Sequence, residues 1–313
     1  MLEKLTGEQT EAFNKINQSV IDTDGQWYFL NGAGGCGKTT VAKTLIHAAR
    51  SRGQIVIACA SSGIAATLLP RGQTAHSAFQ IPIENLSPES SCQIGGRSGK
   101  AELMRRVTLI IWDEAFMIHR YGFEAVARML RKLRNNETLT FGGVVVVIMG
   151  DLRQTLPVLP RASRVQIIRS CLTRSKIWKC FQRIALDTNM RVMSVQSDGD
   201  RERFDKYCKF LIQLGDGDLP LDKKGAIRIP EEYLLPCNDP NGLFDWTYDD
   251  RPDPLPDKTT CSADEYIRSL NENIDYYSDK AILCPKNVDV DKMNEEMMKL
   301  LATRTTRMLS KCR

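Results

Sequence analysis

The stretch Gly32-Ala33-Gly34-Gly35-Cys36-Gly37-Lys38-Thr39 decides the fold of this chain. It fits the pattern Gly-x-x-x-x-Gly-Lys-Ser/Thr of a phosphate-binding loop. The apolar run at residues 27–30 predicts a buried strand before it, and apolar residues at helical spacing over residues 40–49 predict a helix after it. This context favours a phosphate loop over a glycine-rich turn with a surface lysine. The sequence therefore predicts a site for a nucleoside triphosphate.

Each residue of the loop has an expected role. Glycines let the backbone turn its N–H groups inward, where they bind phosphate oxygens at the positive end of the next helix. We expect Lys38 to bridge the β- and γ-phosphates and the Thr39 hydroxyl to ligate Mg²⁺, with ATP as the nucleotide. The predicted nucleotide-binding residues of the loop are Gly32, Ala33, Gly34, Gly35, Cys36, Gly37, Lys38, Thr39 and Thr40.

Two acidic residues, Asp113 and Glu114, follow the apolar run at residues 107–112. Acidic pairs after a strand are common, but a phosphate loop upstream gives this pair a function. We expect Asp113 to hold Mg²⁺, through water, and Glu114 to orient and deprotonate the attacking water. The pair is thus the predicted second half of a nucleotide-hydrolysing site.

The β-branched run at residues 144–149 is typical of a strand in a parallel sheet covered on both faces. It places Gln154 at the carboxyl edge of the sheet, where open α/β sheets bind ligands. We expect Gln154 to sense the γ-phosphate and Arg153 to contact either the phosphate or DNA. Arg191, after residues 184–186, is a candidate arginine finger, although a lone arginine is more often solvated surface.

Other polar residues have two interpretations each. Gln9 either completes a capping box with Thr6 or reads the adenine edge through its amide. Small polar residues after the apolar run at 55–60 either contact a nucleic-acid backbone or serve as ordinary turn and cap residues. The candidate DNA-binding residues of this group are Ser62, Gly63, Thr74, His76 and Ser77.

Length, charge and cysteine content limit the classes of protein to which this chain can belong. The 313 residues suit about two domains, and the net charge of +5 is compatible with a polyanionic partner. No apolar stretch is long enough to span a bilayer, so no membrane association is expected. The ten cysteines are scattered without a Cys-x-x-Cys pair, which favours reduced thiols and predicts no structural zinc.

The chain divides into three predicted parts. Residues 1–214 form an α/β domain with a polar excursion at about 80–100. Residues 215–265 are rich in Pro, Asp and Gly and predict an irregular connector. Residues 266–313 begin a second domain, with a predicted strand at 281–284 and a helix after it.

Together, these segments resemble the superfamily 1 DNA helicases of the petite-integration-frequency family, most closely the branch carried by Helitron transposons. The resemblance runs from about residue 5 to about residue 300, and Leu152 stands where the family usually has Phe. The stretches that carry it are residues 32–40, 60–79, 112–115, 150–160, 188–191 and 282–287.

The resemblance implies a RecA-like NTPase domain with a parallel sheet and a partial second RecA-like domain. It implies a Mg²⁺/ATP-dependent motor that moves 5′→3′ on single-stranded DNA and at duplex junctions, in telomere maintenance, repair and recombination. Its catalytic residues would be Lys38, Glu114, Gln154 and Arg191; Gln9 would read adenine, and residues 80–100 would form the strand-separating wedge. The implied location is the nucleus, with the mitochondrion as the alternative.

The family's later motifs are absent from this sequence. The alternative is therefore a truncated or transposon-derived module that binds ATP and single-stranded DNA without unwinding. On this basis we expect the polypeptide by itself to bind single-stranded DNA weakly and to leave duplex intact. A small-molecule kinase is disfavoured by the segments around Gln154 and Arg191. Oligomeric state has no sequence signal.

Overall fold

The computed structural model describes residues 5–154, 156–235, 240–248, 261–278, 280–284 and 286–309. The chain divides into two compact units, Met1–Leu219 and Pro220–Arg313. Within the described residues, no helix has the length and apolar character needed to cross a membrane.

A six-stranded sheet forms the centre of the first unit, and all its paired strands are parallel. The spatial order is β3-β2-β4-β5-β1-β6. Continuous apolar runs suit this arrangement because helices cover both faces, and every residue of β5 is buried. The strands are β1 (Trp27–Asn31), β2 (Ile55–Ala60), β3 (Gln73–Thr74), β4 (Val107–Asp113), β5 (Val145–Gly150) and β6 (Gln182–Ala185).

Helices connect and cover the strands of this sheet. They are α1 (Gly7–Asp22), α2 (Lys38–Ser51), α3 (Gly63–Thr67), α4 (Ala75–Phe79), α5 (Gly99–Arg106), α6 (Arg120–Leu133), α7 (Arg164–Ser170), α8 (Met190–Met193) and α9 (Asp198–Asp216). Short 3-10 helices lie at Ala115–Met117, Thr140–Gly143, Leu172–Arg174 and Lys176–Cys180. The predicted α/β fold with a parallel sheet is confirmed.

Two hydrophobic clusters hold the layers together, one on each face of the sheet. On one face, Ile16 of α1 and Leu45 of α2 pack with Leu30 of β1. On the other face, Trp112 of β4 stacks against Phe79 and also contacts Phe123 of α6. The rigid sheet between these clusters fixes the strand ends, which carry the predicted site.

The second unit is described in pieces. It contains the 3-10 helix Glu231–Tyr233 and the helices α10 (Pro240–Thr247), α11 (Ala263–Ser278) and α12 (Asn287–Leu309), the last of which confirms the predicted terminal helix. The connector prediction was too simple, because α10 lies inside residues 215–265 and buries Phe244. Positions 1–4, 155, 236–239, 249–260, 279, 285 and 310–313, which belong to predicted segments, lie outside the described residues.

The predicted strand at 281–284 was wrong. These residues have no regular structure, and Leu283 is 91% exposed. A strand needs a neighbour to pair its N–H and C=O groups, and the described part of the second unit offers no strand beside this segment. Apolar character alone therefore does not produce a strand here.

Candidate nucleotide-binding site

The register of the sheet brings three predicted loops together. Asn31, the last residue of β1, pairs with Gly150 of β5 and with Ala185 of β6. Because the strands are parallel, the loops that follow them leave the same edge side by side. The segments that follow β1, β5 and β6 carry the phosphate-loop motif, Gln154 and Arg191 respectively, with Arg191 in the first turn of α8. Strand β4, next to β5, ends in Asp113.

The phosphate loop depends on glycine at two positions. Gly35 and Gly37 have φ of 92° and 82°, in the left-handed region that side chains disfavour. A Cβ atom on Gly37 would lie 2.3 Å from Gln9 Nε2, and one on Gly35 would lie 2.6 Å from Asn189 Oδ1. Backbone conformation and close packing therefore both require these glycines, and α2 begins directly after them at Lys38.

The Lys38 ammonium group is folded into the loop. Its Nζ donates hydrogen bonds to the carbonyl oxygens of Gly32, at 2.6 Å, and Ala33, at 3.0 Å. A charged ammonium held beside the amino end of α2 is suited to phosphate oxygens, which can replace these carbonyls as acceptors.

Replacing Lys38 with alanine is expected to weaken ATP binding. The lost charge-assisted contact is worth about 1.5–3 kcal/mol, so the dissociation constant should rise roughly 10- to 100-fold. A titration with labelled ATP measures the dissociation constant, and Lys43→Ala in the same helix is the control. Wild-type affinity in the Lys38 variant would contradict the assignment of this loop as the nucleotide-binding site.

Asp113 and Glu114 lie at the end of β4 as a buried and a half-buried carboxylate. Asp113 Oδ1 accepts a hydrogen bond from the Glu114 backbone N–H at 2.9 Å. Burial raises the pKa of Asp113, although this hydrogen bond and the Lys38 charge oppose the shift. Burial, and then the Asp113 charge, raise the pKa of Glu114, which suits a group that must accept a proton.

The oxygen ligands near this edge fit Mg²⁺. The Thr39 hydroxyl and the Asp113 carboxylate are hard donors of the kind that Mg²⁺ prefers. Among the described residues, no group of three or more His, Cys, Asp or Glu side chains could hold a metal by itself. Mg²⁺ usually binds through one or two carboxylates together with waters and phosphate oxygens.

Arg191 lies directly against the phosphate loop, within the same unit. A Cβ on Gly35 would be 3.1 Å from Arg191 Cγ and Cδ, and one on Gly34 would be 3.9 Å from its Nη1. Asn189, which sequence reasoning missed, caps α8 by accepting from the Arg191 N–H at 3.0 Å. The Met190 N–H also donates to the Gly35 carbonyl at 3.0 Å, so the two loops are tied together.

Gln154 is exposed and lines a cavity of about 650 Å³. Gly34 and Arg191 line the same cavity, so the predicted γ-phosphate sensor and the predicted arginine finger share one space. One wall is apolar and comes from α9, including Phe204 and Leu211. Arg153 also lines this cavity, but its guanidinium is paired with carboxylates.

Gln9 is 3% exposed and contacts the phosphate loop. Its Oε1 accepts from the Thr6 N–H at 3.3 Å, and its Nε2 donates to the Cys36 carbonyl at 3.2 Å. The capping interpretation is thus confirmed for the amide group, and adenine reading stays a prediction. The thiol of Cys36 is buried, which raises its pKa and keeps it unreactive.

The predicted DNA-binding residues lie at the ends of β2 and β3, and several of them cap helices. Ser62 Oγ accepts from the Ala65 N–H at 3.2 Å, and Thr74 Oγ1 accepts from the Ser77 N–H at 3.3 Å. His76 is half-buried, which lowers its pKa. The capping interpretation is confirmed for Ser62 and Thr74, while DNA contact stays a prediction for all five residues, including the exposed Gly63.

Glu8 is a further residue that sequence reasoning missed. Its carboxylate accepts hydrogen bonds from the N–H groups of Asp187 and Thr188, at 3.0 and 3.2 Å, and from the Thr188 hydroxyl. The backbone bonds from Thr188 and Asp187 lower the pKa of Glu8. The first turn of α1 therefore ties the phosphate loop, through Gln9, to the segment that leads to Arg191.

Comparisons with known proteins find similar helicases. A model of the PIF1-like helicase family matches residues 4–225. ATP-dependent DNA helicase Pif1 of Psychrobacter sp. (strain PRwf-1) is 34% identical over 135 residues, which are 43% of this chain and 20% of that protein. The chain thus spans about a fifth of the length of that relative.

Solved structures extend the similarity to the fold. Unliganded Pif1 from Bacteroides sp. superimposes with a TM-score of 0.50 and 29% identity, over 63% of this chain and 43% of that one. Pif1 helicase from Bacteroides in complex with ADP-AlF3 and ssDNA has a TM-score of 0.53 and 25% identity, over 77% of this chain and 56% of that one.

Proposed function

The chain belongs to the PIF1-like helicase family, and from this premise we propose that it is the ATP-hydrolysing motor part of a DNA helicase. The observation that carries the proposal is the meeting of Lys38, Glu114 and Arg191 at one edge of one sheet. A nucleotide-binding protein without hydrolysis needs only the first of these groups. A motor needs all three, because it must bind, cleave and release the nucleotide in a cycle.

Each side chain has a distinct part in the proposed reaction. Thr39 and Asp113 would hold Mg²⁺, which would supply positive charge to the phosphates of the bound nucleotide. Lys38 binds the same phosphates, and Gln154 contacts the γ-phosphate from the loop after β5. Glu114 orients the attacking water and takes its proton, and Arg191 stabilises the charge that develops on the phosphoryl group.

Single-stranded DNA is the proposed partner. Support comes from the relative that was solved with ssDNA and from polar residues at the ends of β2 and β3, next to the nucleotide edge. Gly63 and Ser77 are exposed there, and small residues with backbone and hydroxyl donors suit a phosphate backbone, which requires no base-specific contacts. Translocation 5′→3′, a Helitron-like origin, roles in telomere maintenance, repair and recombination, and a nuclear location rest on the family resemblance alone.

Fluorescence anisotropy with a labelled oligothymidylate tests the DNA part of the proposal. Ser77→Glu places a negative charge at the proposed DNA surface and is expected to lower affinity about 3- to 10-fold at low salt. Ser51→Glu makes the same change at the end of α2, on the opposite edge of the sheet, and is expected to have no effect. Equal behaviour of the two variants would contradict this DNA path.

A further inference from the structure

Arg153 joins the loop after β5 to the carboxyl end of α9. Its Nε donates to Asp216 Oδ1 at 2.8 Å and its Nη2 donates to Asp216 Oδ2 at 3.1 Å, which is a bidentate pair. Its Nη1 lies 3.4 Å from Oδ1 of the buried Asp151. The guanidinium therefore spans two elements whose residues are 63 positions apart in sequence.

The loop itself is organised around Asp151. Its Oδ1 also accepts from the Arg153 N–H at 3.1 Å, and its carbonyl accepts from the Gln154 N–H at 3.1 Å. A displacement of Arg153 would therefore act on the backbone of Gln154, the next residue. Through these contacts, the position of the proposed γ-phosphate sensor depends on Arg153.

Gly215 provides independent support for this link. A Cβ there would lie 2.9 Å from Arg153 Cβ and Cδ, so only glycine leaves room for the arginine stem. Glycine inside a helix is unfavourable compared with alanine, yet it occupies the next-to-last position of α9. The helix end is thus shaped to receive Arg153.

We propose that Arg153 is a positioning residue that couples the Gln154 loop to the end of α9 through its ion pair with Asp216. The inference rests on the proposed function, in which Gln154 contacts the γ-phosphate. Helix α9 ends three residues before the boundary of the first unit at Leu219, so the pair carries the state of the nucleotide loop to the end of this unit. In this proposal Arg153 acts through the position of Gln154 and not through its own contact with the nucleotide.

Because the ion pair is partly exposed, its effect on the reaction can be distinguished from an effect on stability. The Arg153 and Asp216 side chains are 29% and 38% exposed, and exposed pairs contribute little to stability. Breaking the pair is therefore expected to leave the melting temperature nearly unchanged. A displaced Gln154, in contrast, affects the reaction strongly, because small errors in position cost large factors in rate.

A double-mutant cycle in the full chain tests the proposal. Arg153→Gln and Asp216→Asn are each expected to lower kcat for ATP about 10-fold, with KM nearly unchanged. The double variant is expected to lose no more than either single variant, because both changes break the same ion pair. Asp218→Asn, two residues along in the same acidic segment, is the matched control and should behave as wild type.

Hydrogen exchange supplies a readout that does not need activity. Without nucleotide, Asp216→Asn should speed amide exchange at residues 152–154, and Arg153→Gln should speed it at residues 213–217. Loss of activity in Arg153→Gln with wild-type behaviour of Asp216→Asn would mean that Arg153 acts directly on phosphate or DNA, and would overturn the proposal. If the wild-type chain lacks ATP turnover, the proposed function fails, and the exchange result still decides whether the link exists.

Discussion

Arg191→Ala is expected to lower ATP turnover by about 10³- to 10⁵-fold, the range that loss of an arginine finger produces. Its stem packs on Gly35 of the phosphate loop, and its Nη1 reaches towards Gly34. Arg191 and the loop lie in the same unit, so the proposed arginine finger would act within one domain. Phosphate release under saturating Mg-ATP measures the effect.

Two further variants sharpen the result for Arg191. Arg191→Lys keeps the charge but loses the planar fork, so it should recover only part of the turnover. Arg203→Ala removes an exposed arginine from α9 and should have no effect. Turnover in Arg191→Ala equal to that of Arg203→Ala would show that Arg191 is solvated surface, the alternative that its sequence position allows.

Glu114→Gln is expected to bind Mg-ATP normally and to hydrolyse it about 10²- to 10⁴-fold more slowly, because only the proton acceptor is lost. Burial and the Asp113 charge raise the pKa of Glu114 above its ordinary value of 4.5. A base works when it is deprotonated, so wild-type turnover should fall as pH falls through this raised pKa. Single-turnover kinetics across pH measure this fall in rate. The fall at low pH should be absent in Glu114→Gln.

Asp113→Ala is the informative contrast to Glu114→Gln. Removal of a Mg²⁺ ligand should raise the Mg²⁺ concentration needed for nucleotide binding, while Glu114→Gln should leave that requirement unchanged. If both variants show the same change in binding and in turnover, the two carboxylates do not have the separate roles proposed for them.

Local patterns were sufficient to predict the parts of the fold that carry the phosphate loop. The β-branched run that becomes β5 is apolar throughout, as a strand buried on both faces must be, and the glycines around Lys38 meet a local backbone requirement. Since parallel strands put their carboxyl ends on one edge, the sequence alone predicts that Asp113 and Gln154 belong to the same site.

Contacts between distant segments were not predictable from the sequence. Glu8 binds residues 179 and 180 positions away, and Arg153 binds Asp216, so no local spacing indicates either contact. The strand predicted at 281–284 failed for a related reason, because pairing partners, and not apolar residues alone, make a strand. The polar residues Ser62 and Thr74 had two interpretations, and only the geometry identified their caps.

The proposed function requires that this chain hydrolyses ATP at the carboxyl edge of the sheet in its first unit and that DNA changes the rate. The most direct measurement is steady-state phosphate release by the 313-residue chain with Mg-ATP, with and without a single-stranded oligonucleotide. Turnover is expected to depend on Mg²⁺, to rise when the oligonucleotide is added and to be lost in Glu114→Gln. Turnover that is unchanged by the oligonucleotide and that persists in Glu114→Gln would contradict the proposed function.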